Sequence, residues 1–291
     1  MDTQILSGKV VSTAVYQALE SRISELQSKS INPGLAVILV GEDTASRIYV
    51  NSKSKKFSDL GLHSETTQLP ENVSQKTLLS LVRSLNENNN FHGILVQFPL
   101  PKHIDNEVII NAIDPIKDVD GFHPVNQGHL AIGKPTIIPC TPKGIMRILE
   151  HYNIDLSGKH VVVVGRSNIV GRPISILTSL KGSFSNATVT ICHSGTKNIS
   201  DHTLQADVVI LALGYPEFLT SKDIKDGAVV IDVGINRIED NSEKGYKLVG
   251  DGKATSLDGK ASAYTPVPGG VGPMTIAMLV ENTIEAAERT V

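Results

Sequence analysis

The amino-acid sequence predicts an α/β fold with two domains, each built on a parallel sheet. Short apolar runs alternate with segments of helical periodicity along almost the whole chain, and this alternation is typical of parallel strands flanked by helices. The 291 residues are enough for two domains of ordinary size. A polar, glycine-containing break at Asp155–Lys159 separates a first half from a second half whose strand–helix repeat is more regular.

Six apolar runs predict strands. They are Leu35–Val40, Gly93–Phe98, His160–Val164, Ala187–Cys192, Asp207–Leu211 and Ala228–Val233. Segments of helical periodicity predict the helices between and around these strands. They are Gly8–Ser28, Thr44–Leu60, Gln75–Asn86, Pro142–His151, Ile169–Leu180 and a C-terminal helix over Ile276–Ala287.

Residues at the helix boundaries support these limits. Ser74 and Thr141 are predicted N-caps, because a side-chain oxygen there can accept from an unpaired backbone N–H. Pro142 and Pro273 suit a first helical turn, where the missing N–H costs little. Gly61 is predicted to close the second helix in a left-handed conformation.

The composition excludes several classes of protein. A net charge of −3, no Trp and 4% aromatic residues argue against a nucleic-acid-binding surface. The N-terminus MDTQILSGK lacks the segments of a signal peptide, and no apolar run is long enough to span a bilayer. Cys140 and Cys192 have no paired spacing, as expected of reduced thiols. We therefore expect a cytoplasmic protein with no nucleic-acid or membrane partner.

The histidines do not predict a metal site. Their positions lack the spacing of metal ligands such as H-E-x-x-H, and we expect them on the surface or in loops. The residues concerned are His92, His103, His123 and His129.

A glycine-containing turn in the second half is a candidate phosphate site. The buried strand Val161–Val164 is followed by GRSNIVGRP at Gly165–Pro173 and then by a helix. Free N–H groups and the helix dipole both favour an anion at such a turn. The spacing is neither G-x-G-x-x-G nor a P-loop, so on these residues alone an ordinary strand–helix turn is about as plausible as a dinucleotide site.

The following strand favours NADP over NAD as the dinucleotide. NAD-binding folds usually place an acidic residue at its end to bond the ribose 2′-hydroxyl. Ala187–Cys192 instead runs into His193, Ser194 and Gly195, none of which is acidic. The guanidinium of Arg166, in the glycine-containing turn, could hold a 2′-phosphate.

Candidate catalytic residues lie in the first half. Tyr49 and Lys53 are four residues apart in a predicted helix and share one face, although most such pairs belong to a solvated face. Gln97 stands at the carboxyl end of a predicted strand, where ligands bind in open α/β sheets. Asp118 and Asp120 lie in a loop with Gly121, and an Asp-rich loop is more often a turn or a cap than a catalytic site. The Y-x-x-x-K pattern also occurs in short-chain dehydrogenases. In those enzymes the pattern follows the glycine-containing turn, whereas in this chain it precedes that turn, so the short-chain interpretation is disfavoured.

Five strings resemble, in the same order, those of the bifunctional methylenetetrahydrofolate dehydrogenase/methenyltetrahydrofolate cyclohydrolase family. They are GEDTASRIYVNSKSKK from Gly41, GILVQFPLP at Gly93–Pro101, KDVDGFHPVN at Lys117–Asn126, GRSNIVGRP at Gly165–Pro173 and TPVPGGVGPMT at Thr265–Thr275. The last string is the most particular, because six of its eleven residues are Pro or Gly. Such a segment forms a rigid turn against which a flat ligand can lie.

The resemblance implies a fold and an activity. The expected fold has an N-terminal α/β substrate and catalytic domain, residues 1–143 with the C-terminal helix 272–291 packing back on it. A Rossmann-like NADP-binding domain with a parallel sheet is expected over residues 144–271. The expected enzyme oxidises 5,10-methylenetetrahydrofolate with NADP to the methenyl compound and hydrolyses that to 10-formyltetrahydrofolate. Relatives are homodimers that act in tetrahydrofolate interconversion, and we expect the same here.

The resemblance also assigns residues. Lys53 is expected to transfer the proton in hydrolysis, with Tyr49, Gln97 and Asp120 as further catalytic and substrate-binding residues. Backbone at Pro268, Gly269 and Gly270 is expected to close over the folate. The expected cofactor-binding residues are Gly165, Arg166, Ser167, Val170, Gly171, Arg172, Pro173, His193, Ser194, Gly214, Ile235 and Thr275.

Two departures from the family and two alternatives stay open at this point. Many relatives carry a basic residue where Gly195 stands, and the segment Gly250–Tyr264 differs from the usual pattern. One alternative is another two-domain NADP-dependent dehydrogenase, such as a shikimate dehydrogenase-like enzyme, which would not explain Thr265–Thr275. The other is a nucleotide-sensing protein that binds the cofactor without turnover.

Overall fold

The computed structural model describes residues 2–241 and 245–291. Within them the chain forms two compact units. The first, here the 15–140 unit, comprises Val15–Cys140 and Ile276–Val291. The second, here the 141–275 unit, comprises the residues up to Ala14 and Thr141–Thr275.

The strands are, in chain order, β1 (Gln4–Ile5), β2 (Gly34–Val40), β3 (His63–Leu69), β4 (Gly93–Val96), β5 (His160–Val164), β6 (Thr188–Cys192), β7 (Val208–Leu211), β8 (Val229–Asp232), β9 (Asn236–Glu239), β10 (Tyr246–Val249) and β11 (Ala263–Tyr264). The helices are α1 (Gly8–Ser28), α2 (Thr44–Asp59), α3 (Gln75–Glu87), α4 (Asn106–Ala112), α5 (Pro124–Ala131), α6 (Cys140–His151), α7 (Gly171–Ser179), α8 (Ile199–Thr203), α9 (Ala254–Leu257) and α10 (Val271–Glu288). A 3-10 turn spans Ser221–Asp223. None of the helices in these described residues is both long and apolar enough to cross a membrane.

The 15–140 unit is built on a three-stranded parallel sheet in the order β3–β2–β4. Every residue of β2 and β4 is buried, as expected for strands covered on both faces. Leu78, Val82 and Leu85 form the buried stripe of α3 and pack in the same apolar cluster as residues of β2 and β4. The sheet therefore forms the base of the 15–140 unit, and polar side chains can extend from the carboxyl ends of its strands.

The C-terminal helix belongs to this unit from Ile276 onward. Asn282 is fully buried and donates to Val119 O at 2.8 Å and to Ile138 O at 2.9 Å. Arg22 of α1 donates to both carboxylate oxygens of Glu288, at 2.8 and 2.7 Å. The last helix therefore packs against the first half of the chain, as the resemblance implied.

The 141–275 unit is a doubly wound domain. Its six strands pair in parallel in the order β1–β11–β8–β7–β5–β6. The continuous apolar run Val161–Val164 is completely buried in β5. Because β6 follows β5 on one side and β7 lies on its other side, the strand order reverses at β5. Ligands bind at such a switch point, at the carboxyl ends of the strands.

Several element limits differ from the sequence predictions. Helix α6 begins at Cys140, so Thr141 lies in its first turn and is not its N-cap. Helix α10 begins at Val271, five residues before the apolar pattern at Ile276 and one before the limit at 272 that the resemblance implied, and Pro273 lies in its first turn as expected. Ser74 and Gly61 were predicted correctly: Ser74 accepts from Thr77 N at 3.1 Å, and Gly61 has φ +69° after the end of α2.

Some strands were not predicted from the sequence. The polar residues of β3 hide its strand character, since β3 lies at a sheet edge and pairs only with β2. β1 and β11 are two residues long each, too short to show an alternating pattern. The antiparallel pair β9–β10 lies just before Gly250. The segment Gly250–Tyr264, which differs from the usual sequence pattern of the family, contains α9 and β11.

Candidate active site

Lys53 lies in a small polar cluster of the 15–140 unit. Tyr49 and Lys53 are one turn apart on α2, so they share a face of the helix. The Lys53 amine donates to Gln97 Oε1 at 3.0 Å and lies 4.4 Å from the centre of the Tyr49 ring. Gln97 follows β4, and its Nε2 donates to Phe98 O at 2.8 Å. That second bond orients the amide so that its oxygen faces Lys53.

Burial opposes the charged form of Lys53. The residue is only 4% exposed, and desolvation lowers the pKa of its amine, while the nearby Asp120 acts in the opposite direction. Desolvation likewise raises the pKa of Asp120, against the effects of Lys53 and of a hydrogen bond with Cys140. The cluster therefore keeps an amine and a carboxylate close together where each is poorly hydrated, which suits proton transfer and recognition of a polar ring.

Asp118, two residues before Asp120, has a structural role. It is 2% exposed and accepts from His123 N at 2.8 Å and Asn126 Nδ2 at 2.9 Å. Burial raises its pKa to about 6, because these bonds offset only part of the desolvation. His123 is itself buried, and its Nδ1 accepts from Val125 N at 3.1 Å as the N-cap of α5. His123 therefore lies in a loop, as expected of these histidines, but it is buried there rather than on the surface.

The glycine-containing turn of the 141–275 unit is closely packed. Gly165 has φ +137°, and a Cβ on Gly171 would collide with the carbonyl group of Gly165. Both positions thus require glycine. Ser167 Oγ accepts from the backbone N–H groups of Val170 and Gly171, each at 3.2 Å. These bonds bring the turn onto the N-terminus of α7, where an anion is favoured.

The charged and exposed groups of this turn lie beside that helix terminus. Arg166 and Ser167 are exposed, and Arg166 forms no ion pair within residues 2–241 and 245–291. Arg172 donates to Asn168 Oδ1 at 3.0 Å. Pro173 is buried in the first turn of α7. The guanidinium of Arg166 is thus available to an anionic ligand.

A tight turn follows β6. His193 N donates to Thr196 Oγ1 at 2.9 Å, and His193 Nδ1 accepts from Gly195 N at 3.1 Å. Ser194 and Gly195 are exposed. No acidic side chain lies in this turn, as the sequence indicated, so it lacks the group that selects a ribose 2′-hydroxyl.

Two buried aspartates, which the sequence analysis missed, join the ends of β7 and β8. Asp251 accepts from the N–H groups of Leu213, Gly214 and Tyr215, at 2.7, 3.0 and 2.9 Å, and from Asn236 Nδ2 at 2.9 Å. A charged residue inside the apolar run VVIDVG was a signal that could have identified Asp232.

Asp232 supports Asp251 in turn. It accepts from Gly234 N at 2.9 Å, Asp251 N at 3.0 Å and Gly252 N at 2.7 Å. Burial raises its pKa to about 6, and repulsion from Asp251 contributes, although the three N–H bonds oppose the shift. Ile235, the predicted cofactor residue between these groups, is 59% exposed.

The proline- and glycine-rich segment Thr265–Thr275 also lies in the 141–275 unit. Thr265 Oγ1 accepts from Asp232 N at 2.7 Å, which ties the start of the segment to β8. The Val267–Pro268 peptide is cis, and Gly269 has φ +106°. A Cβ on Gly8 would collide with the carbonyl oxygen of Gly270, and a Cβ on Gly270 would collide with the carbonyl oxygen of Pro266. Thr275 Oγ1 lies 3.1 Å from Thr141 Oγ1.

The predicted site residues thus form two groups. Tyr49, Lys53, Gln97 and Asp120 lie in the 15–140 unit. The predicted cofactor residues lie in the 141–275 unit, as do Pro268, Gly269 and Gly270. A cavity of about 720 Å³ in the 15–140 unit is lined by residues that include Asn32, His63 and His92. It lies at the amino ends of the strands, opposite the edge that carries Gln97, and we do not assign the chemistry to it.

Two family models match the chain. Residues 6–120 match the family model for the tetrahydrofolate dehydrogenase/cyclohydrolase catalytic domain, and residues 139–291 match that for its NAD(P)-binding domain. The bifunctional protein FolD of Acetivibrio thermocellus is 52% identical over 288 residues, which cover 99% of this chain and 98% of that protein.

Two solved structures are similar to the whole chain. The bifunctional FolD enzyme of Campylobacter jejuni has 46% identity and a TM-score of 0.94, covering 99% of this chain and 100% of its own. The Trypanosoma brucei methylenetetrahydrofolate dehydrogenase-cyclohydrolase, solved with NADP and an inhibitor, has 38% identity and a TM-score of 0.94, covering 100% and 99%. These matches exclude the shikimate dehydrogenase-like alternative. The chain belongs to the tetrahydrofolate dehydrogenase/cyclohydrolase family.

Proposed function

We propose that the protein catalyses two successive reactions of folate metabolism. It oxidises 5,10-methylenetetrahydrofolate with NADP to 5,10-methenyltetrahydrofolate, and it hydrolyses the methenyl compound to 10-formyltetrahydrofolate. One observation carries the hydrolytic assignment: a lysine amine that is 4% exposed and hydrogen-bonded to an oriented glutamine. Desolvation lowers the pKa of this amine, which moves it toward the range that suits proton transfer at neutral pH.

Hydrolysis requires water to add to the methenyl carbon and a proton to move. In its neutral form Lys53 accepts the proton of that water as the new C–O bond forms. The resulting ammonium then donates the proton to the ring nitrogen whose bond to the same carbon breaks, and the amine is restored. The hydroxyl group on that carbon loses its remaining proton to solvent as the formyl C=O forms, so the reaction of the cation with water releases one proton overall. The amine donates to Gln97 Oε1 at 3.0 Å, and it keeps an N–H for this bond in either protonation state. The positive charge of the methenyl substrate adds to desolvation in favouring the neutral amine.

Folate binding is proposed for the neighbouring side chains. Asp120 accepts hydrogen bonds from the N–H groups of the pterin, for which a carboxylate is the matching acceptor. The ring of Tyr49, already in contact with the Lys53 amine, stacks on the aromatic part of the substrate. Backbone at Pro268, Gly269 and Gly270 is proposed to complete the folate site.

The 141–275 unit fits a dinucleotide. Gly165 and Gly171 leave a cradle that a Cβ would fill, and Ser167 orders the turn at the N-terminus of α7. We propose that this turn holds the pyrophosphate, with Val170, Arg172, Pro173, His193, Ser194, Gly214, Ile235 and Thr275 as further contacts. Arg166 binds the 2′-phosphate. When bound, NADP supplies the acceptor for the hydride that leaves the methylene carbon.

The remaining proposals follow the family resemblance. The catalytic domain comprises residues 1–143 and 272–291, and the cofactor domain residues 144–271, although β1 joins the sheet of the 141–275 unit. The protein acts as a homodimer in the cytoplasm. Light scattering on the purified protein tests the dimer.

A coupled assay tests the proposed function. The protein is mixed with methylenetetrahydrofolate and NADP, and the absorbance of NADPH and of the methenyl compound is followed. We expect NADPH to form and the methenyl compound to appear and then decay faster than in buffer. Binding of NADP without any NADPH formation would favour the nucleotide-sensing alternative. NADPH formation without accelerated decay would leave only the dehydrogenase.

A further inference from the structure

We propose that Asp251 is a positioning residue for the nicotinamide half of the cofactor. It acts through the turn Leu213–Gly214–Tyr215, whose backbone it fixes. The proposal rests on the proposed function, because it takes the 141–275 unit to bind NADP. It concerns a carboxylate that the mechanism above does not use.

The turn lies directly beside the glycine-containing turn. β7 pairs with β5, and Leu211 at its end is the register partner of Val164. The residues that follow these two stay close, because a Cβ on Gly165 would collide with the carbonyl oxygen of Ala212. A ligand bound at Gly165–Gly171 therefore meets the turn at 213–215 as soon as it extends toward β7.

The strand order indicates which half of the cofactor extends that way. In doubly wound folds, the end of the second strand of the nucleotide-binding unit contacts the ribose of the adenosine half. Here that strand is β6, on one side of β5, whereas β7 lies on the other side. With the pyrophosphate at the glycine turn, the adenosine half lies toward β6 and the nicotinamide half toward β7.

Asp251 defines the conformation of the turn. It is completely buried, and three consecutive backbone N–H groups donate to its two carboxylate oxygens. With its N–H groups committed to Asp251, the turn has its carbonyl groups and side chains to offer a ligand. Tyr215 is 63% exposed, and its ring packs edge-on against Phe218 at 6.0 Å.

The carboxylate is itself firmly held. Its own backbone N–H donates to Asp232 Oδ1 at 3.0 Å, and Asn236 Nδ2 donates to its Oδ1 at 2.9 Å. A Cβ on Gly234 would collide with the Asp251 side chain. Such a fully bonded carboxylate has no spare acceptor position for a ligand group, so its effect on the cofactor is indirect.

The test is Asp251→Asn, which keeps the shape but turns an NH2 group toward backbone donors. We expect the KM for NADP in the dehydrogenase reaction to rise roughly ten- to hundredfold, as a buried donor left unpaired would cost. Inhibition by 2′,5′-ADP, which carries the adenosine half alone, should stay within about twofold. Hydrolysis of the methenyl compound, measured without NADP, should also stay within about twofold of wild type.

Asp207→Asn is the matched control. Asp207 also accepts a backbone bond, from His160 N at 2.8 Å, and pairs with Lys225, but it precedes the amino end of β7. Asp207→Asn is expected to lower the stability of the fold but to leave the KM for NADP unchanged. If both variants raised this KM equally, Asp251 would be a structural residue only and the proposal would be overturned.

The remaining outcomes are also decisive. Turnover by the wild type would uphold the proposed function. With that established, an unchanged KM for NADP in folded Asp251→Asn would overturn the proposal about Asp251. A loss of 2′,5′-ADP binding as large as the rise in the KM for NADP would overturn it as well. Absence of wild-type turnover would instead contradict the proposed function. If Asp251→Asn failed to fold, Asn236→Ala, which removes one of the four donors, should raise the KM severalfold, and no rise there would equally overturn the proposal.

Discussion

Replacement of Lys53 by methionine tests the proton-transfer assignment most directly. Methionine is unbranched and of similar length, so it can fill the space of the lysine side chain, but it cannot accept or donate a proton. A positioned general acid–base group contributes about 10²- to 10⁴-fold to a rate, which corresponds to roughly 3–5 kcal/mol in the activation free energy. We therefore expect Lys53→Met to lose at least about 10²-fold in the hydrolysis of methenyltetrahydrofolate.

The structure also predicts that this variant folds. Desolvation lowers the pKa of Lys53, so the charged amine is less stable in the fold than in the unfolded chain, and stability at neutral pH carries that cost. Methionine removes the cost but leaves Gln97 Oε1 without its 3.0 Å donor, which costs about 1–3 kcal/mol. Because the two effects oppose each other, the melting temperature should change by no more than about 5 °C.

The assay is the decay of the methenyl absorbance, corrected for hydrolysis in buffer, with melting followed by circular dichroism. Lys55→Met is the matched control, because Lys55 is an exposed residue of the same helix and should leave the rate unchanged. Hydrolysis by folded Lys53→Met within about tenfold of wild type would be too fast for the loss of a general acid–base group and would refute the assignment.

Three further predictions address the cofactor, the folate and the buried carboxylates. Arg166→Ala should reduce the preference for NADP over NAD about ten- to hundredfold in kcat/KM with the value for NAD unchanged; an undiminished preference would contradict the 2′-phosphate role. Asp120→Asn should lower both activities together and leave the KM for NADP unchanged; loss of hydrolysis alone would place Asp120 in the hydrolytic chemistry. Asp118, with its pKa raised to about 6, should add stability that is present below pH 4 and lost as the pH rises through 6. The unfolding free energy of wild type minus that of Asp118→Asn should therefore fall by about 3 kcal/mol over that range, and a difference independent of pH would contradict this reading.

The sequence was most informative where one physical requirement acts on consecutive residues. A strand covered on both faces must be apolar throughout, and Val161–Val164 was assigned correctly for that reason. Capping needs one oxygen at one position, and Ser74 was identified in the same way. The five strings then gave the family, which the comparisons confirm.

Long-range contacts were much harder to predict. Lys53 and Gln97 are 44 residues apart, so only the resemblance could pair them before the structure was known. Asp251 was not identified because its four donors come from segments between 15 and 38 residues away. His123 was expected at the surface or in a loop because the histidines lack metal-ligand spacing, and that argument could not show that its ring is buried and caps a helix. In each case the partner lies far away in sequence or depends on a local geometry that composition does not reveal.

The position of the C-terminal helix has a consequence for folding of the chain during its synthesis on the ribosome. Asn282 satisfies the buried carbonyl groups of Val119 and Ile138, next to the loop that carries Asp120, yet it is synthesised more than 140 residues after both. The nascent 15–140 unit must therefore wait, with these carbonyl groups unpaired, until the intervening chain has been translated and the last helix has left the exit tunnel. Domains usually fold in the order of synthesis, but here the 15–140 unit can be completed only after α10 has been synthesised. A ribosome stalled near residue 270 should thus display a chain whose first half is still accessible to protease, and synthesis of α10 should protect it.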